Sequence, residues 1–148
     1  MKTDYLIYGL LIAVIAIAAY TFAGMVDNQP AAAPNIQNNA QGFGLISTGG
    51  TDDGNVQVDL TPKGIVNGQF LVDFAINTHS VDLSQLDLKK ITTLEYSGKK
   101  IQPLSAPALS GHHNSGIIAF NSVSDLKNFK ITIVGIPNIE ERVFEWKS

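Results

Sequence analysis

Residues 69–77 read Gln-Phe-Leu-Val-Asp-Phe-Ala-Ile-Asn, with large apolar side chains at Phe70, Val72, Phe74 and Ile76. A period of two is the mark of a strand with one buried face, and a helix cannot put four residues so spaced on one side. The spacing predicts the central strand of a core. At roughly 1.5–3 kcal/mol for each fully buried large side chain, these four offset much of the cost of ordering their strand.

The same period recurs on both sides of it. Val56, Val58 and Leu60 alternate with Gln57 and Asp59, and the run is expected to end at Pro62, which cannot donate to a ladder. Residues 91–96 resume a β-like run, and Ser97-Gly98 reads as a hairpin turn into 100–104, which Pro103 and Pro107 mark as an edge. Residues 116–120 form a short apolar strand and 122–126 a turn of helix, after which Phe129, Ile131 and Ile133 alternate with Lys130 and Thr132. Near the end Arg142, Phe144 and Trp146 share a face, and Phe144 and Trp146 are assigned to the core. Six or seven such strands over residues 55–148, parted by Gly-, Pro- and Asn-rich connections, predict an all-β fold. The expected form is an antiparallel, immunoglobulin-like β-sandwich of about seven strands, with a small barrel as the alternative. The Cys-Trp-Cys signature is absent because the chain has no cysteine, so the label is architectural.

One segment belongs to a different solvent. Residues 5–26 carry no charged side chain and are long enough, at about 1.5 Å per residue, to cross a hydrocarbon core about 30 Å thick. Tyr5, Tyr8 and Tyr20 fall toward its ends, where amphipathic rings settle at the headgroups. Residues 1–26 are therefore read as a single-pass transmembrane anchor. The rival is a signal peptide processed near Ala23, against which the run is long and its only leading cation, Lys2, is opposed by Asp4. The next basic residue is Lys63, so the positive-inside bias puts the N-terminus in the cytoplasm and the β domain outside. Residues 27–54, with Pro30, Pro34, an alanine run and several Asn, Gln and Gly, read as a flexible tether. Within it, Gly42-Phe43-Gly44-Leu45-Ile46 has an alternative reading as an extra edge strand docked on the domain.

The formal charge of −3 lies outside the β domain, since residues 55–148 hold nine Lys/Arg and nine Asp/Glu. A neutral domain lacks the basic footprint that nucleic-acid binding requires, so no nucleic-acid partner is expected.

Chemistry-bearing side chains gather in two loops. Two of the three histidines lie in Gly111-His112-His113-Asn114-Ser115-Gly116, and the third in Thr78-His79-Ser80-Val81-Asp82-Leu83-Ser84. If the loops meet at one end of the sandwich, His79, His112, His113 and Asp82 form a candidate site for a borderline ion such as copper or zinc. The alternative is that the imidazoles tie loop backbone through hydrogen bonds while Gly111 and Gly116 supply unusual backbone angles. No H-x-H, HExxH, C-x-x-C or G-x-S-x-G pattern is present, and the chain is expected not to be an enzyme.

The runs Asn77-Thr78-His79-Ser80-Val81-Asp82-Leu83-Ser84, Gly111-His112-His113-Asn114-Ser115-Gly116 and Glu141-Arg142-Val143-Phe144-Glu145-Trp146 resemble a group of prokaryotic envelope domains with a THSVDLS, GHHxSG, ERVFxW pattern. The resemblance spans most of residues 55–148 and implies a secreted or membrane-tethered β domain without an established activity. Two functions stay open at this point. One is metal handling or sensing at the cell surface, and the other is a structural module that docks a neighbouring envelope protein through a sheet edge or the histidine loops.

Overall fold

The computed structural model describes residues 42–121 and 126–147. The predicted span, the first part of the tether and residues 122–125 of the predicted helical turn lie outside the described residues. Among those described, no helix is long and apolar enough to cross a membrane.

Among the described residues eight strands form two antiparallel four-stranded sheets. The first sheet has the order β1 (Ile46–Thr48), β2 (Gln57–Val66), β3 (Gln69–Asn77) and β6 (His113–Asn121). The second has the order β5 (Lys99–Ile101), β4 (Thr92–Tyr96), β7 (Asn128–Ile136) and β8 (Ile139–Lys147). A 3-10 turn (Leu83–Gln85) and one short helix, α1 (Leu88–Ile91), join β3 to β4. The arrangement is that of a sandwich, because one apolar cluster draws on the inner faces of both sheets. The rings of Phe70 in β3 and Phe129 in β7 stand 5.2 Å apart in an edge-to-face contact across the layers.

The inner faces follow from the alternation. In the first sheet Leu60 pairs with Phe74 and Val58 with Ile76, and all four are fully buried or nearly so. In the second, Tyr96 pairs with Phe129 and Phe129 with Trp146, while Leu94, Ile131 and Phe144 form the next row. β3 lies between β2 and β6, as its four buried apolar residues predict. Tight turns need positive φ, and the sequence supplies it: Asn67 (φ 50°) with Gly68 (φ 77°), and Ser97 (φ 46°) with Gly98 (φ 74°), close two-residue hairpins.

Three boundaries differ from the sequence reading. β2 does not stop at Pro62: by the alternation of the ladder the Pro62 nitrogen faces away from β3, a bulge follows between Pro62 and Gly64, and pairing continues to Val66. β6 begins at His113 rather than Gly116, so four of the six residues of the glycine-flanked loop are strand. Residues 42–48 are not free tether, and their alternative as a docked edge is the one realised. Thr48 pairs with Val58, Phe43 meets Phe129 at 5.0 Å, and the Trp146 indole N–H donates to the Gly44 carbonyl at 2.8 Å. Beside them the buried Arg142 guanidinium donates to Thr48 Oγ1 at 3.2 Å, and burial lowers its pKa from the usual arginine value.

Candidate functional site: the histidine end of the sandwich

β3 delivers its last residue, Asn77, opposite His113 of β6, and the contact continues past both strands. The Thr78 N–H donates to the His112 carbonyl at 3.0 Å and the Leu83 N–H to the Gly111 carbonyl at 3.3 Å. These bonds zip the two histidine loops together at one end of the sandwich. Thr78 is fully buried, and its hydroxyl donates to the Asn55 carbonyl at 2.7 Å while accepting the Val81 N–H at 3.2 Å. That turn leaves His79 and Ser80 outside; Ser80 Oγ accepts the Gly54 N–H at 2.7 Å. Asn138 joins the same end from the β7–β8 turn, donating to the Gly54 carbonyl at 2.6 Å.

The imidazoles are put to use within this framework. His112 Nδ1 lies 3.1 Å from the Val81 carbonyl, and His113 Nδ1 lies 3.0 Å from Asn77 Oδ1. A carbonyl oxygen only accepts, so both rings donate through Nδ1–H, and in the neutral imidazole Nε2 keeps the lone pair. The His79 and His113 rings face one another edge-on, with centres 6.3 Å apart and planes at 71°. All three histidines are exposed. Asp82 is committed to its own chain, accepting the Ser84 N–H at 2.9 Å as the cap of the 3-10 turn. That backbone bond, with the Ser84 hydroxyl, holds its carboxyl below the usual range, and nearby His112 adds to the effect.

The four residues singled out from sequence are therefore neighbours at one end, but they do not converge on a point. Among the described residues no group of three or more His, Cys, Asp or Glu is placed to hold a metal ion. Of the three histidines, His79 and His113 have their rings in contact with each other. The residues that sequence reasoning missed are polar and uncharged. Thr78, Asn77, Asn55 and Asn138 hold the end together. Asn114 faces inward, opposite Ile76; its Oδ1 accepts the Ser110 N–H at 2.8 Å, while its buried Nδ2 has no partner. The signal for Asn114 was parity, since it shares the even positions of the buried Ile118 and Phe120.

No family model matches this chain, and neither a curated protein nor a solved structure is similar enough to it to count as a match.

Proposed function

We propose that the chain is an interaction module of the cell envelope: an extracytoplasmic β-sandwich on a single N-terminal span, whose histidines brace the loops at one end. The observation that supports this reading is the use of imidazole. His112 spends Nδ1–H on Val81 in the facing loop and His113 on Asn77 at the end of β3, which is what a structural tie requires. The strand order supports an immunoglobulin-like reading, with β2, β3 and β6 as strands A, B and E and with β5, β4, β7 and β8 as C′, C, F and G. A domain of this kind works by presenting loops and edges, so the partner is a neighbouring envelope protein and no residue is assigned a catalytic role. The resemblance of the THSVDLS and GHHxSG motifs to prokaryotic envelope domains agrees with that setting.

One observation favours a second reading, a zinc or copper site on His79 and His113. An imidazole bound through one nitrogen at about 2.0–2.1 Å has its ring centre roughly 3.2 Å from the ion, so two rings on one ion stand at most about 6.4 Å apart. The pair, at 6.3 Å, reaches that limit only with the ion on the line between the two rings, and a tetrahedral ion needs the exposed rings to close to about 5.2 Å. Recruiting His112 as a third ligand through Nε2 leaves its Nδ1–H bond to Val81 in place, but it requires the loops to close further, since among the described residues no three such groups converge. The two readings part on thermal unfolding of the histidine variants with and without zinc: bracing makes the His112 variant less stable and leaves the melt indifferent to zinc, whereas a site makes it zinc-dependent.

A further inference from the structure

We propose that the free edge of β6 between His113 and Ile117 docks the same five residues of a second copy of this chain, antiparallel and two-fold about Ser115. The inference rests on the tethered interaction-module reading above and names its surface and its partner.

Two sheets have four edges, and three carry devices that discourage a further strand. β1 is three residues long, and β2 beyond it carries Pro62, the bulge and Lys63. β5 is also three residues long, starts with Lys99 and Lys100, and is followed by Pro103. β8 is long, but Glu140, Glu141, Arg142, Glu145 and Lys147 make five of its nine residues charged. β6 has nine residues and not one Asp, Glu, Lys, Arg or Pro. Ile117, on its outer face, is 48% exposed.

The open groups can be assigned. Ala119 turns its backbone away from β3: its N–H donates to the Ser105 carbonyl at 2.9 Å, and its carbonyl accepts the Leu104 N–H at 2.8 Å. Every second residue of an antiparallel edge strand points the same way, so His113, Ser115 and Ile117 direct their N–H and C=O to that same edge. Among the described residues these groups have no backbone partner. The bridge between Ser105 and Ala119 closes the window at one end. Gly111, with φ 59°, turns the chain away at the other.

Those two stops fix the register. An antiparallel copy of a window running from 113 to 117 fills it only with Ser115 opposite Ser115, which puts His113 of each copy opposite Ile117 of the other. All the open groups are then paired at once, a small hydroxyl sits on the axis, and no like charges meet. The contact is isologous, as a closed two-fold pair requires. A five-residue ladder buries less than the roughly 1,000 Å² of an independently stable interface. It therefore joins copies that one membrane already holds at high local concentration.

The chain has no cysteine, which makes the test direct. Cα atoms of a hydrogen-bonded antiparallel pair lie about 5.5 Å apart, inside the roughly 4.4–6.8 Å that a disulfide spans. Full-length Ser115→Cys in membranes, mildly oxidised, is expected to give a covalent dimer, and Glu145→Cys on β8 at least tenfold less. Ile117→Lys in the Ser115→Cys background is expected to abolish the dimer. Ser115→Cys that stays monomeric, or cross-links no better than Glu145→Cys, overturns the pairing. Carbonate extraction of the same membranes separates the two levels of failure. A chain that stays in the membrane without cross-linking defeats the pairing alone, whereas a chain that washes out defeats the tethered reading and takes the pairing with it.

Discussion

A methyl group at Gly116 would stand 2.9 Å from Pro107 Cγ and 3.3 Å from Phe74 Cε1. A proline ring cannot rotate aside, so Gly116→Ala forces the 106–109 segment or β6 to shift. Overpacking of this kind costs about 1–3 kcal/mol, to be read as a lower urea midpoint at unchanged m-value; a midpoint equal to wild type would show that Pro107 does not pack there. This glycine serves a close approach, not a turn, and the sequence suggested the reverse. Asp82 caps the 3-10 turn with its carboxylate. A carboxyl whose pKa is lowered in the folded state contributes stability above its unfolded value, near 3.9, and loses it as pH falls through the folded value. Asp82→Asn keeps the capping oxygen and removes the charge. The variant should therefore be less stable than wild type at neutral pH, with the difference closing below about pH 4. A difference that is the same at both ends of that range would refute the capping role of the charge.

Among the elements, residues 42–48 carry more than a tether would. Phe43 packs against the core beside Phe129, Gly44 takes the Trp146 N–H, and Thr48 receives Arg142, so this short run, whose β1 is the outer strand beyond β2, closes the side of the sandwich next to β8. Phe43 is half-buried, and Phe43→Ala is predicted to cost about half of the 3–5 kcal/mol of a fully buried phenylalanine, measured by chemical denaturation. Full stability in that variant would return the segment to the tether. Period two made β3 and β7 legible because β3 alternates over nine residues and β7 over Asn128–Val134, each with one face buried. β8 was legible in its Arg142, Phe144 and Trp146 face. β1 is too short to show a period, and its docking relies on a backbone carbonyl that no side chain announces. The start of β6 was hidden for another reason: His113 to Gly116 is polar or small on both faces, because Pro107 and the segment around it cover part of that strand instead of a facing strand.

For the molecule as a whole, the two-sheet architecture could be read from strand count and spacing, since the longer strands bury one face and the turns carry Asn-Gly and Ser-Gly. That the histidine loops share an end could be posed from sequence but not answered, because it depends on β3 pairing with β6 across a long connection. The fold brings His79, His112, His113 and Asp82 to one end and then spends two imidazoles and the carboxylate on local bonds. If these bonds brace an interaction module, as proposed, thermal unfolding of wild type, His112→Ala and His79→Ala/His113→Ala, each with and without excess zinc, will show it. Bracing predicts that His112→Ala loses about 0.5–1.5 kcal/mol, the worth of one hydrogen bond, and that zinc leaves the wild-type Tm unchanged. Zinc binding at about a hundredfold over its Kd adds about 2.7 kcal/mol, so a wild-type Tm raised by several degrees, and not raised in His79→Ala/His113→Ala, would contradict the account in favour of a metal site.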